Sequence, residues 1–430
     1  MKKPIVTVIL AFAVTLSAAP SLLPSFVQAQ SVNTNPESLQ SAIEAAITSE
    51  PSLQAIGAMV NVSQSQHQLA RANLRSSVGM QGSFGAGNAD FGAGSREIYP
   101  RSLAIAWERR VFDGGASLAQ VSASEFNVAA QNGEYENARN QLVAEVAKAY
   151  TDTYSANQAL RFANDNLAAM QRYANDATLQ FNAGEVPVSR KAEALAALAT
   201  AQALVSETEG NLVTANANLR RLTGRDFTNP NLDGLPNYIP QNLATALEHA
   251  LADHPLLAAN KAKLAAAEAM VRASYAGRYP NVSVSARAST VRDQFLAGYK
   301  SDDIGAYVNF SVPLWTSGRT TANIDVARAN RDALKAQNAA LNRNIIFGVE
   351  RAYADFSAAQ SNLIAARANL NARQIARDSV EAEFRVGMRP IVDLLNAQRD
   401  LTSAQTALAM ANSKAISTRY QIMAAVGIVN

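Results

Sequence analysis

The feature that most constrains this chain is an internal duplication at a spacing of 203 residues. The segment 181–187 reappears as 384–390, with a phenylalanine, a glycine and a proline at the same three places. Gly224 and Gly427 also lie at this spacing, and further matches extend over nearly the whole chain. Two large copies indicate a duplicated architecture rather than a solenoid of short repeats.

The N-terminus has the composition of an export signal. Two lysines precede an apolar stretch over about 5–19, and small or tolerated residues lead up to Gln30. This pattern predicts a secretory signal peptide over residues 1–29. No later run of about 18 apolar residues predicts a transmembrane helix. The chain has no cysteine, so a lipid-modified cysteine anchor, a disulfide scaffold and a thiolate metal site are excluded.

Composition favours long helices that pack closely. Apolar residues make up 48% of the chain but aromatic residues only 7%, and alanine accounts for about a fifth of all positions. The net charge of +3 without a basic run disfavours nucleic-acid binding. Of the three histidines, His249 and His254 are predicted to be exposed residues at helix ends, with no ligand spacing for a metal. Asp253 and His254 also lack the partner spacing of a catalytic site.

Proline and glycine outline two very long helices. Proline is absent from 101–186 and from 314–389, and glycines stand at both ends of these stretches. Helices are therefore predicted over about 116–180 and 319–383, each about 98 Å long at 1.5 Å per residue. Their spaced leucines and small residues are typical of coiled-coil packing. Leu363 and Leu370 lie one heptad apart and are predicted to be buried between helices.

Alternating segments stand just before each long helix. In 282–288 and 304–314 apolar residues alternate with polar ones, and 78–84 with 103–107 shows the pattern in the first copy. Such alternation over about ten residues is typical of strands that cross a bilayer. It predicts that Val282, Val284 and Ala286 face lipid, and it places Ser283, Ser285 and Arg287 on the water side. The segments 85–90 and 293–303 are predicted to be exposed loops.

Four strands are too few for a closed membrane barrel, for which about eight is the minimum. An open sheet in lipid would leave unpaired backbone groups at its two edges. The strands are therefore predicted to close with other copies of the chain. Three copies give twelve strands and two give eight, and the residues leave both open.

These residues resemble the TolC family of outer-membrane efflux and secretion ducts. The resemblance rests on the export signal, the duplicated unit of two strands and a long helix, and a Phe-x-x-Gly-x-x-Pro turn in each copy. It implies a mainly α fold with membrane β-barrel strands, in which a homotrimer forms an α-helical barrel and shares a twelve-stranded β-barrel. Four segments are expected: the signal peptide 1–29, repeat 1 at 30–224, an equatorial connection at 225–240 and repeat 2 at 241–430. Each repeat contains a strand pair (about 78–112 and 280–315) and a helical tip (about 182–190 and 385–393).

The resemblance also implies a function. It predicts a passive exit duct in the outer membrane of a Gram-negative cell that extends into the periplasm, with no enzymatic activity, cofactor or metal. The expected partners are a periplasmic adaptor protein, an inner-membrane transporter of the RND or ABC class, and outer-membrane lipid. A tripartite efflux pump and a type I secretion system both fit, and the cargo stays open. The alternative is a periplasmic coiled-coil adaptor, which would carry β-rich segments around a single helical hairpin.

The site residues expected from the resemblance lie at the two tips. The adaptor is predicted to dock on both tips, at Gly184, Val186, Pro187, Val386, Gly387 and Pro390. The periplasmic gate is predicted at Asp393, with Arg389 and Phe384 as locking partners. In the family an arginine at the position of Arg389 ties the second helix pair to the first. The first-copy equivalent of Asp393 is Arg190, so an Arg190–Asp393 pair is a possible substitute for that tie.

Overall fold

A computed structural model of the protein describes residues 37–90, 94–232, 242–296 and 298–428. The predicted signal peptide, the first seven residues of repeat 1, the second half of the predicted equatorial connection and the last two residues lie outside the described residues.

The helices form two sets of four that match in order and length. Repeat 1 contains α1 (Leu39–Ser49), α2 (Pro51–Ala72), α3 (Ala116–Asn182) and α4 (Val188–Thr223). Repeat 2 contains α5 (Leu243–Asp253), α6 (Pro255–Tyr275), α7 (Arg319–Arg385) and α8 (Ile391–Val426). Helices α3 and α7 both have 67 residues and end two residues later than the sequence predicts, and α4 and α8 both have 36. The mainly helical fold with two repeats is thus confirmed.

One antiparallel sheet joins the two repeats. Its strands are β1 (Ser77–Phe84), β4 (Arg101–Phe112), β5 (Asn281–Arg292) and β6 (Lys300–Ser311), in the order β1-β4-β5-β6. The central pair β4–β5 connects repeat 1 to repeat 2. Among the described strands, β1 and β6 each have one neighbour, so both outer edges of the sheet are free within the chain.

The register gathers the apolar residues of all four strands on one face. One row across the sheet reads Met80, Ile105, Ala288, Ile304, and the row beside it on the opposite face reads Gly79, Ala106, Arg287, Gly305. Successive side chains of a strand point to opposite faces, so Val282, Val284 and Ala286 share the apolar face. Among the described residues this face is left open to solvent, since Ile304 is 86% exposed and Phe310 77% exposed.

The loops predicted at the far end of the sheet contain more structure than expected. Within 85–90, residues Gly87–Asp90 form β2, which pairs with β3 (Ser95–Ile98) as a separate antiparallel hairpin. Within 293–303, the last four residues belong to β6 instead of the loop. The ladder continues there because Asp302 accepts hydrogen bonds from Thr290 at 2.7 Å and from Arg292 at 3.1 Å.

Helix α3 lies at the centre of the helical part. It packs against α2 and α6 near the sheet and against α4 and α8 further away, and α7 packs against α6 and α8. Alanines contribute to these contacts, as where Ala123 packs with Ala266 and Ala269. Leu363 is buried as predicted, whereas Leu370 is only half-buried. Helix α5 also packs against α7, and no other described helix makes an extensive contact with it.

In each repeat the last helix ends beside the junction between the first two helices. Helix α8 ends at Gly427, where a Cβ would lie 2.7 Å from Cδ of Pro255 and where φ is +84°. At the matching position α4 ends beside Ser49, whose hydroxyl donates to the carbonyl of Thr223 at 3.0 Å. The middle of α3 packs there too, and Tyr150 is fully buried, donating its hydroxyl to the carbonyl of Glu37.

The prediction of exposed helix-end histidines is half right for each: His249 is exposed but lies within α5, and His254 lies at a helix end but is buried. His254 is 5% exposed and caps α6, because its Nδ1 accepts the N–H of Leu256 at 3.1 Å. Burial lowers the pKa of His254. The physical reason is the arrival of the α8 end at this junction, which closes solvent off from the ring.

Candidate functional site at the two helical turns

The two turns between long helices have the same backbone design. Turn 1 (residues 183–187) joins α3 to α4, and turn 2 (386–390) joins α7 to α8. In turn 1 the N–H of Glu185 donates to the carbonyl of Gln180 at 2.9 Å, and that of Gly184 donates to Phe181 at 3.0 Å. Turn 2 repeats both bonds at the positions 203 residues later. This paired arrangement is a Schellman motif, which satisfies the last carbonyls of a helix.

Glycine and proline are required by this design at fixed places. Gly184 has φ +78° and Gly387 has φ +79°, a left-handed conformation that a Cβ would strain. No atom outside the local backbone lies within 4 Å of a Cβ built at either glycine, so the constraint is conformational and not steric. Pro187 and Pro390 then take the N-cap positions of α4 and α8.

Turn 2 carries an ionic cluster that turn 1 lacks. Nε of Arg389 donates to Glu383 at 2.7 Å, and its Nη1 donates to Asp393 at 3.3 Å. The hydrogen bond with Glu383, and next the one with Asp393, raises the pKa of Arg389. One guanidinium thus holds two carboxylates, and the cluster keeps one net negative charge. At the matching places turn 1 has Gln180, Val186 and Arg190.

The charges of turn 1 are arranged differently. Lys191 lies over the ring of Phe181, 4.9 Å from its centroid. No carboxylate lies within ion-pair distance of Arg190 among the described residues of this chain. Asp393 is engaged by Arg389 of its own hairpin, so the tie that the resemblance expects from Arg389 to the first helix pair is not made within this chain. A pairing of Arg190 with Asp393 of another copy stays a prediction.

Apolar contacts, not charges, join the two hairpins near the turns. Ile391 and Leu395 of α8 are 4% and 7% exposed and pack with Met170, Ala174, Ala177, Ala194 and Ala201 of α3 and α4. Phe384 packs against the same cluster. Phe384 thus belongs to the apolar contact near the turns, and its role as a locking residue stays a prediction.

The ends of both turns expose apolar side chains. Val188, Val386 and Met388 are 65%, 70% and 78% exposed, and Pro187 and Pro390 are exposed as well. Val186 is half-buried. The predicted docking residues therefore form two small apolar surfaces, one on each turn, with the ionic cluster of turn 2 beside the second.

Sequence reasoning missed three residues of this region. Glu383 is the nearer partner of Arg389, and the acidic residue six positions before the arginine was the signal for it. Ile391 and Leu395 were signalled by the spacing of apolar residues one turn apart at the start of α8.

In the parts of the chain that the structure describes, every helix is too short or too polar to cross a membrane.

Comparison with known proteins gives a consistent result. A family model described as "Outer membrane efflux protein" matches residues 42–225 and 246–428, one match for each repeat. The chain is 28% identical over 329 residues to the outer membrane efflux protein BepC of Brucella suis biovar 1, covering 76% of this chain and 72% of that protein. It is 24% identical over 421 residues to the outer membrane protein TolC of Escherichia coli K12, covering 92% and 83%.

A solved structure agrees in fold. The Campylobacter jejuni CmeC outer membrane channel superposes with a TM-score of 0.78 over 90% of this chain and 85% of that one. Sequence identity in this superposition is 16%, so the likeness concerns the fold alone.

Proposed function

Since this chain belongs to the outer membrane efflux protein family, the TolC family, we propose that three copies assemble into one duct whose helical turns dock a periplasmic adaptor. The chain is an outer-membrane efflux channel that extends into the periplasm, and its relatives are channels rather than enzymes. We also propose that the duct conducts passively, that it has a gate at its periplasmic mouth and that it works with an inner-membrane transporter.

The four-stranded sheet carries this proposal. Its apolar face is exposed, and both of its edges, β1 and β6, lack a partner among the described strands. Backbone N–H and C=O groups cannot stay unpaired in lipid, where each costs several kcal/mol. Pairing β6 of one copy with β1 of the next removes every edge, and three copies give the twelve strands that the family resemblance implies.

The helices then define where the turns lie. Helices α3 and α7 begin at the sheet and run for 67 residues, or about 100 Å, before turns 1 and 2. With the sheet in the outer membrane, both turns lie deep in the periplasm. We propose that the exposed apolar residues there, with Val386 and Met388 foremost, form the docking surface for the adaptor, which links the duct to an inner-membrane transporter of the RND or ABC class.

The ionic cluster of turn 2 is the proposed gate. Each copy brings Asp393, Glu383 and Arg389 with one net negative charge, so three copies place three such charges around one mouth. A ring of a few negative charges favours cations. It can open when a partner binds, because exposed ion pairs are weak. Phe384 and its apolar cluster hold the hairpins in register. A pair between Arg190 and Asp393 of a neighbouring copy would add a tie between protomers.

The adaptor alternative is not supported. A periplasmic adaptor has one helical hairpin, whereas this chain has two, and each repeat contributes two strands to the sheet. The relatives are outer membrane proteins.

Assembly can be tested without knowing the cargo. The protein is extracted from outer membranes, and its mass is measured in detergent by light scattering, with heated and unheated samples compared on a denaturing gel. We expect a mass of three chains, a heat-sensitive trimer band and channel activity in planar bilayers. A monomer in the soluble periplasmic fraction would contradict the duct.

Docking is tested with a photocrosslinking amino acid in place of single methionines. Placed at Met388 in turn 2, it should crosslink the periplasmic adaptor in cells. Met410 provides the matched control, because it is 58% exposed but lies on α8 well away from the turn. Equal crosslinking at both positions would contradict docking at the turns.

A further inference from the structure

Four chain junctions meet where the strand ends join the helices, and this row of strand ends is called here the helix-side edge of the sheet. They are the junctions from α2 to β1 (71–77), β4 to α3 (108–116), α6 to β5 (272–281) and β6 to α7 (311–319). The antiparallel register sets them side by side, since Ser77 lies opposite Glu108 and Asn281 opposite Ser311. Together they form one band, called here the junction band.

The junction band is strongly basic. It contains seven arginines and two carboxylates, which are Arg71, Arg75, Arg109, Arg110, Arg272, Arg278 and Arg319 with Glu108 and Asp113. The other edge of the sheet lies at the far ends of the strands, among the described residues of 84–101 and 292–303, and these two segments contain four basic and five acidic residues. The chain has a net charge of only +3, so the excess at this one edge is larger than that of the whole protein.

The two carboxylates of the band do not neutralise it. Asp113 accepts the backbone N–H groups of Gly115 and Ser117, and it lies 3.9 Å from Arg110. Glu108 and Arg110 share the polar face of β4, whereas Arg109 lies opposite Val284 on the apolar face. Glu108 thus lies on the side of the sheet away from lipid, and Asp113 lies at the start of α3 beside Arg110.

Six arginines of the junction band have no carboxylate partner among the described residues. Within the described ranges, no ion pair involves Arg71, Arg75, Arg109, Arg272, Arg278 or Arg319, and all six are exposed. This contrasts with the other edge, where Arg101 pairs with Asp293 and Arg292 with Asp302, both at 2.9 Å.

Aromatic and apolar side chains mark the depth of the band. Trp315 is 87% exposed, Leu314 91% and Tyr279 56%, and Phe112 ends β4 on the same edge. Tryptophan and tyrosine are enriched where a membrane meets water. Exposed arginines beside them lie at the depth of lipid headgroups, where a guanidinium can bind a phosphate oxygen pair with two parallel hydrogen bonds.

We propose that the junction band is a binding surface for anionic glycerophospholipids in the membrane leaflet that faces the helices. The proposal rests on the proposed function, because it takes the sheet to lie in the outer membrane with the helices in the periplasm. The occupant is a phospholipid with a net negative headgroup, since charge complementarity and the exposed aromatic side chains both require one. Each basic residue near an anionic surface adds attraction that salt weakens.

The two tryptophans allow a direct test. Trp107 lies on the apolar face within β4, outside the junction band. Trp107→Phe therefore leaves Trp315, which belongs to the band, as the single tryptophan of the sequence. This variant is reconstituted as the full assembled protein in phosphatidylcholine vesicles that contain either brominated phosphatidylglycerol or brominated phosphatidylcholine at the same mole fraction. Bromine quenches tryptophan at contact. We expect phosphatidylglycerol to bind near Trp315 at least about threefold more tightly than phosphatidylcholine.

Replacing one arginine in each junction should remove this preference. In the Trp107→Phe background, Arg75, Arg109, Arg278 and Arg319 are changed together to Gln, and both brominated lipids should then quench equally. The matched control changes the four basic residues of the other edge, Arg96, Arg101, Arg292 and Lys300, to Gln and should keep the preference. If the first variant does not assemble, raising salt from about 0.05 to 0.5 M in the parent should reduce the preference instead.

The outcomes separate this proposal from the duct. Equal quenching by both lipids in the parent, or no quenching of Trp315 by either, overturns the lipid surface while conductance in the same vesicles still supports the duct. A protein that neither inserts nor conducts overturns the proposed function itself.

Discussion

Three residues of this chain are constrained for three different physical reasons. Gly387 is required by its φ of +79°, His254 by the cap that its Nδ1 provides, and Asp393 by a charge that Arg389 holds in place. The first is a constraint of the backbone, the second of burial and the third of electrostatics. Each predicts a different kind of response to substitution.

Replacing Gly387 should disable turn 2 without dissolving the assembly. Gly387→Val forces a β-branched residue into the left-handed region at a cost of about 1–2 kcal/mol, and we expect export to be lost while the heat-sensitive trimer persists. Gly387→Asn should keep part of the activity, because asparagine tolerates this conformation. Gly348→Ala inside α7, with no atom within 4 Å of its Cβ, is the matched control and should leave export unchanged. Full export by the valine variant would count against turn 2 as a docking element.

Removing the charge of Asp393 should open and neutralise the mouth. Asp393→Asn leaves Arg389 with Glu383 alone, and we expect higher single-channel conductance and a weaker cation preference in the reversal potential. Asp400→Asn is the control. Asp400 lies on the same helix as Asp393, about 10 Å further along, and it pairs with Arg373 of α7 at 2.8 Å. If both variants behaved alike, the gate would not lie at Asp393.

Acid should loosen the junction between α5 and α6 through His254. Burial lowers the pKa of this histidine below its ordinary value, so the unfolded chain binds the proton more tightly than the folded one. Its contribution to stability is therefore complete above the unfolded pKa of about 6.5 and declines as pH falls below it, until the lowered folded pKa is reached. His254→Asn keeps a side-chain acceptor for the cap without a titrating ring.

The readout is the thermal midpoint of unfolding at pH 7.5 and pH 5.5. The parent should lose stability between these two values, and His254→Asn should lose less. His249→Gln changes an exposed histidine on the neighbouring helix and should keep the parent's pH dependence. An identical pH dependence in the parent and in His254→Asn would show that another group is responsible.

Helices and strands are specified by different patterns here. Helices α3 and α7 are long because proline is absent and alanine frequent, yet they are stable only through packing on α4, α6 and α8. Strands β1, β4, β5 and β6 are specified by alternation, and the register converts that alternation into one continuous apolar face. The absence of cysteine from the chain makes this face easy to map.

Cysteine scanning of β5 should reproduce the alternation. Cysteines at positions 283 and 285 should react with a membrane-impermeant thiol reagent added to the channel in vesicles, and those at 282 and 284 should not. The reason is that Ser283 and Ser285 share the polar face, whereas Val282 and Val284 share the apolar one. Labelling in denaturant controls for the presence of each thiol. Uniform labelling along β5 would place both faces in water.

In the proposed duct, two hairpins of equal length join the sheet in the membrane to turns about 100 Å away. Equal lengths keep the apolar cluster of Ile391 and Leu395 opposite α3 and α4. Any change in one hairpin alone therefore displaces this contact, whereas the same change in both leaves it in place.

Shortening both hairpins together should separate assembly from export. Deleting seven residues from the distal half of each of α3, α4, α7 and α8 removes about 10 Å and keeps the heptad faces. We expect a heat-sensitive trimer and normal conductance, but no export, because the turns no longer reach the adaptor. Deleting seven residues from α3 and α4 only should also raise conductance, since the hairpins lose their register near the mouth. Normal export by the fully shortened duct would contradict a fixed docking distance.

Much of this architecture follows from local pattern. The duplication, the long helices, the alternating strands and the two Gly-Pro turns can be predicted because each depends on residues close together in the chain. Gly184 and Gly387 are found for this reason, as are Pro187 and Pro390.

Contacts between distant segments could not be predicted in the same way. The pairing of β4 with β5 and the burial of His254 by the end of α8 depend on which surfaces meet after folding. Local composition gives an exposed histidine at position 254, because periodicity reports which face of a helix is apolar and not what covers it. The basic junction band arises in the same way, since its four segments are far apart in the chain and only the antiparallel sheet brings them together.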